Sequence, residues 1–90
     1  MPATVRLTAQ QTGYISGLLA EDSSFVNLIR SHKNIRLEDE AIVLDRADAA
    51  SLRDYFGDRL AAVGFDANYE PNKEGALLES LIDALFPAMQ

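Results

Sequence analysis

Between Asp45 and Pro87 the chain carries two stretches of helical apolar periodicity, joined by Gly64-Phe65-Asp66-Ala67-Asn68-Tyr69-Glu70-Pro71-Asn72. In the first, Ala49, Leu52, Tyr55, Phe56, Leu60 and Val63 fall on one helical face. In the second, Leu77, Leu78, Leu81, Ile82, Leu85 and Phe86 cover an arc of about 180° at about 100° per residue. An arc that wide can face a core and still leave an edge for a partner or a second copy of the chain. Asp45 is placed to cap the first helix, with Asp48 at its third position, and Asn72 to cap the second. Pro87 stops the pattern. Gly64 suits the left-handed position beyond a helix C-terminus, from which Phe65 would fold back onto Leu60 as the apolar contact of a Schellman motif.

Upstream the period changes twice. Val5 and Leu7 alternate with polar neighbours as in a short strand. Thr8 with Gln11 reads as a capping box opening a helix whose apolar face is Tyr14, Ile15, Leu18 and Leu19. Gly13 and Gly17 each weaken that helix by about 1 kcal/mol relative to alanine, so it must lean on tertiary packing. Glu21-Asp22-Ser23-Ser24 interrupts it and supplies a new N-cap, after which Phe25, Leu28, Ile29 and His32 share a face until Lys33-Asn34. From Ile35 the period is two. Ile35 and Leu37 alternate, Glu38-Asp39-Glu40 is a charged turn, and Ala41-Ile42-Val43-Leu44 is an apolar run, together a hairpin or one bent strand. The expectation is a single α+β domain over 1–90, in which a small antiparallel sheet (residues 3–7 and 35–44) packs against four helices (9–21, 24–33, 46–63 and 73–86).

Composition narrows the function classes. There is no cysteine, which removes disulfides, thiolate nucleophiles and sulfur-ligated zinc. The net charge is −6, with four basic and six acidic residues through Asp45 and four and eight after it. Such a chain repels phosphate backbones and anionic lipid and attracts a basic protein face. No apolar run approaches the length of a membrane span, and the opening Met-Pro-Ala-Thr-Val-Arg-Leu lacks the apolar core of a signal peptide. A cytoplasmic location is expected.

Chemistry-bearing patterns are incomplete. His32 is the only imidazole, so any serine-histidine-aspartate arrangement must include it, yet it borders an apolar face where packing explains it better. Gly13-Tyr14-Ile15-Ser16-Gly17 puts its serine one position late for a nucleophile elbow and lies within a helical pattern. Asp66, Asn68 and Glu70 alternate like the first half of a calcium loop, but Pro71 and Leu77 stand where its glycine and bidentate glutamate belong. Asp22-Ser23-Ser24 lacks the leucine expected after the serine of an acyl carrier. No enzyme, metal or cofactor is expected. Arg30, His32, Lys33 and Arg36 form a basic cluster that suits a helix C-terminus. The runner-up function, a helix-turn-helix regulator, would use it at 30–36.

The carboxylate pairs Asp54/Asp58 and Glu79/Asp83 sit at i, i+4 opposite the two apolar stripes, a like-charge spacing that costs a few tenths of a kcal/mol in an isolated helix. A basic partner face would reward it. The expected contact surface is therefore Asp54, Tyr55, Asp58, Phe65, Asp66, Tyr69, Glu70, Glu79 and Asp83, with Tyr55, Phe65, Tyr69 and Phe86 as candidate aromatic anchors.

The tail Val63-Gly64-Phe65-Asp66-Ala67-Asn68-Tyr69-Glu70-Pro71, followed by Glu74-Gly75-Ala76-Leu77-Leu78-Glu79-Ser80-Leu81-Ile82-Asp83, resembles the ending of short uncharacterised bacterial proteins. The resemblance spans residues 45–86 and brings no activity with it. In size and acidity the chain is also similar to immunity proteins, which neutralise a toxin. The expected function is a non-enzymatic binding module, an inhibitor or immunity-type partner of a basic protein. Neither nucleic acid nor membrane is an expected partner, and a homodimer through the wide face of the last helix is left open.

Overall fold

A computed structural model describes residues 2–65 and 67–89. The chain runs β1 (Ala3–Arg6), α1 (Ala9–Glu21), α2 (Ser23–Ser31), β2 (Arg36–Glu38), β3 (Ala41–Leu44), α3 (Arg46–Val63) and α4 (Lys73–Leu85), and it ends in a 3₁₀ turn, Phe86–Met89. The α+β expectation holds. The sheet is antiparallel in the order β1-β3-β2. Val5 and Leu37 flank Ile42 from either side, and Ala3 lies opposite Leu44, so one face of the pleat collects the apolar side chains. The segment 35–44 is a hairpin: Glu38 still pairs with Ala41, leaving Asp39 and Glu40 as the turn. Glu40, the second of those turn residues, takes a positive φ of 56°.

Local chemistry sets most helix starts. Thr8 and Gln11 exchange both bonds of the capping box, Gln11 N–H to Thr8 Oγ1 at 3.1 Å and Thr8 N–H to Gln11 Oε1 at 2.8 Å. Asp22 caps α2 by accepting from the backbone N–H of Ser24 and Phe25, and Asp45 caps α3 by accepting from Asp48. The second helix begins and ends earlier than its periodicity implies, over 23–31 instead of 24–33, because Asp22 satisfies the first amides and His32 already leaves helical geometry. The last α-helix ends at Leu85, and the residues around Pro87 continue as a tighter turn.

Ile15 and Leu18 of α1, Phe25 of α2, Ile42 and Leu44 of β3, Leu52 and Phe56 of α3, and Leu78, Leu81 and Leu85 of α4 form one contiguous core. Each such side chain stabilises the fold by about 1.5–3 kcal/mol through burial. Phe25, Tyr55 and Phe56 stack within it, their ring centroids 5.1–6.2 Å apart. Among the helices, α3 and α4 pack most extensively.

Their closeness has a specific cause. A Cβ on Gly75 would lie 2.0 Å from the Gly64 carbonyl oxygen, and one on Gly64 would lie 2.4 Å from Leu60 Cδ1. Both glycines are therefore required where the end of α3 meets the start of α4. This corrects the Schellman expectation: Gly64 has φ −84° and ψ −6°, right-handed geometry, and serves close approach instead of a left-handed turn. Phe65 pairs by its backbone with Pro71. Val63 and Leu19, expected on buried faces, are exposed at their helix edges.

Candidate functional site

The loop between α3 and α4 is fastened at its base. Phe65 and Pro71 form an antiparallel bridge, and Asn72 N–H donates to Gly64 O at 2.9 Å. The Asn72 side chain works in both directions: its Oδ1 accepts from Gly75 N–H at 2.7 Å as the α4 cap, and its Nδ2 donates to Val63 O at 2.8 Å. One residue thus satisfies an orphan amide of α4 and an orphan carbonyl of α3. Above this base Tyr69 stands 88% exposed with φ 61°, a left-handed conformation that costs a side-chain-bearing residue about 1–2 kcal/mol. Phe65, at the start of the same loop, is 41% exposed. Asp66 lies outside the described residues, which takes the first member of the half calcium loop with it. Among the described residues no cluster of three or more His, Cys, Asp or Glu could hold a metal.

Asp54, Asp58, Glu79 and Asp83 are all exposed, on the two helices that this loop joins, and Glu70 is exposed on the loop itself. Tyr55 is drawn inward. Its ring packs against Phe25 and Phe56 and its hydroxyl donates to Asp22 Oδ2, so it anchors the fold's own core. Phe86 is 58% exposed at the end of α4, where Leu77 and Ile82 are only half-buried, leaving the wide apolar arc with an open edge.

A second arrangement is built around Arg59, a residue that sequence reasoning passed over. Its Nε donates to Tyr14 Oη at 2.7 Å and to Glu74 Oε2 at 3.2 Å, its Nη1 to Asp22 Oδ2 at 3.1 Å, and its Nη2 reaches Glu74 at 3.2 Å. Tyr14 Oη donates to Glu74 Oε2 at 2.5 Å. One guanidinium thereby ties α1, the α1–α2 junction, α3 and α4. The Tyr55 hydroxyl first, then the α2 amides and the Arg59 charge, hold the Asp22 carboxyl below its ordinary value against the opposing effect of burial. Burial first and the Glu74 hydrogen bond second push the Tyr14 phenol up to about 12, and burial with the Asp22 bond raises Tyr55 further. Hydrogen bonding to Tyr14 leads the upward shift of Arg59. Tyr14, Tyr55 and Arg59 keep their protons at neutral pH, and together with the carboxyl groups of Asp22 and Glu74 they form a clamp. Beside it an open groove of about 1030 Å³ runs between α1 and α4, lined in part by Gly13, Gly17, Tyr14, Ala76, Leu77 and Ser80.

His32 is more than a border residue of α2. Its Nδ1 lies 2.8 Å from Oδ1 of the buried Asp48, tying the end of α2 to the start of α3. The rest of the basic cluster is exposed surface, with Arg36 paired to Glu38 at 2.9 Å. Ser16 lies on α1 without a preceding nucleophile-elbow strand, as its sequence context implies. No described helix is long and apolar enough to cross a membrane. No family model matches this chain, and no curated protein and no solved structure shows significant similarity to it.

Proposed function

We propose that this chain is a non-enzymatic protein-binding module, an inhibitor or immunity-type partner of a basic protein, docking through the α3–α4 loop and the acidic faces of the helices beside it. The observation that carries the reading is Tyr69, an aromatic residue held 88% exposed in a left-handed conformation on a loop closed at its base. Nothing in the core needs that ring. The net charge of −6 and the exposed pairs Asp54/Asp58 and Glu79/Asp83 support a cationic partner, since complementary potentials speed encounter. A homodimer through Phe86 and the open edge of α4 would leave that loop free for the partner.

The test begins with capture of the partner by pull-down, followed by association rates at low and high salt for the wild type and for Asp54→Lys/Asp58→Lys. Charge reversal is expected to slow association at low salt, with an effect that shrinks as salt rises, while the melting temperature stays close to wild type. Equal rates at low salt would remove the steering role of these carboxylates.

A further inference from the structure

We infer that Tyr69 is a preformed cation-receiving anchor, whose exposed ring face takes an arginine or lysine side chain of the partner. The inference rests on the protein-binding reading above and sharpens it to one side chain. Two costs converge on this residue. The backbone at 69 is left-handed, a conformation that asparagine and glycine adopt with far less strain, and the neighbouring position in the chain is already Asn68. The ring is also the most exposed large apolar group described, at 88% against 58% for Phe86 and 41% for Phe65. The other positive φ among the described residues, at Glu40, needs no such account, because it falls in a tight two-residue hairpin turn and the side chain is polar. At 69 the turn requires the conformation but not the tyrosine.

The anchor is preorganised. The Phe65–Pro71 bridge and the two-way Asn72 bonds close the base from which Tyr69 projects before any partner arrives, so less ordering remains to oppose binding. The chemistry of the occupant follows from charge and ring electronics together. The π face of a tyrosine is negative and attracts guanidinium or ammonium groups, and a chain of net charge −6 concentrates such groups around it.

A phage-displayed library of random peptides, selected on the folded full chain, supplies the probe. Selected peptides are then measured against Tyr69→Phe, which keeps the ring, and against Tyr69→Leu and Tyr69→Asn, which remove it. Thermal melting of each variant verifies the fold, and Tyr69→Asn is expected to be as stable as wild type or more so. The expected result is enrichment in arginine and lysine, with affinity weakened about tenfold in Tyr69→Leu and Tyr69→Asn and retained in Tyr69→Phe. Cationic peptides that bind Tyr69→Asn as tightly as wild type would overturn the anchor and leave the basic-partner reading standing. Selected peptides without cationic excess, or no enrichment at all, would overturn both.

Discussion

Arg59 joins distant parts of the architecture, because its fork on α3 reaches groups on two other helices and a helix junction. The fork shape matters: one planar guanidinium serves Tyr14, Glu74 and Asp22 together, which a single ammonium cannot. Arg59→Leu is expected to lower unfolding stability by about 1–3 kcal/mol, since two carboxylates and the Tyr14 phenol lose a shared partner. The low end of that range applies, as water reaches about 30% of the side chain and screens the charges. Arg59→Lys should restore only part of the loss. Urea unfolding checks both, and a wild-type midpoint for Arg59→Leu would mean that the clamp contributes nothing. The i, i+4 spacing of Tyr55 and Arg59 is visible in the sequence and puts a cation beside a stripe aromatic. That Asp22 waits opposite is not visible, because it lies 33 positions from Tyr55 and already has a local task as the α2 cap.

At the scale of elements, the glycines divide into those the fold needs and those it does not. Gly75 touches the Gly64 carbonyl, and a methyl there would have to push α4 off α3. Gly75→Ala is expected to cost about 1–3 kcal/mol or more by overpacking, since backbone and not a flexible side chain must yield. Gly13 and Gly17 face open space, so alanine at either should stabilise α1 by up to about 1 kcal/mol. Denaturant midpoints of the three single variants give the comparison; a Gly75→Ala chain as stable as wild type would refute the close-approach account. Caps were legible from sequence at Thr8, Asp45 and Asn72, and for α2 within the segment Glu21 to Ser24, because each is a bond across two or three positions. The role of Gly64 was not, since close approach between two helices leaves no local mark and a glycine after a helix suggests a left-handed turn equally well.

For the molecule as a whole, pH acts through the same clamp. Asp22 has a folded-state pKa below its ordinary 3.8, so its contribution is complete above that value and fades as pH falls through the lower folded value. Tyr14 moves the other way, from 10.0 to about 12, so its contribution is complete below pH 10 and is lost as pH rises through the interval above it. Stability should therefore decline at both extremes. In the folded wild type the phenolate absorbance should go on rising beyond pH 10, and Tyr14→Phe should remove part of that late rise. Ionisation of every tyrosine about the ordinary midpoint of 10.0, with no further phase toward about 12 while the chain stays folded, would contradict the part-buried Tyr14–Glu74 contact. By itself the sequence determined the four helices, the strand segments, the α+β class and most of the side chains that fill the core, because each follows from a period or a cap within a few residues, while the choice between a hairpin and one bent strand at 35–44 came from the strand pairing. Only the tertiary structure decided that Tyr55 turns inward while Tyr69 turns out, that Gly64 meets Gly75, that His32 finds Asp48, and that three separated polar residues gather on Arg59. Those pairings join positions far apart in the chain, and a local pattern constrains which face a residue occupies but not what stands across from it.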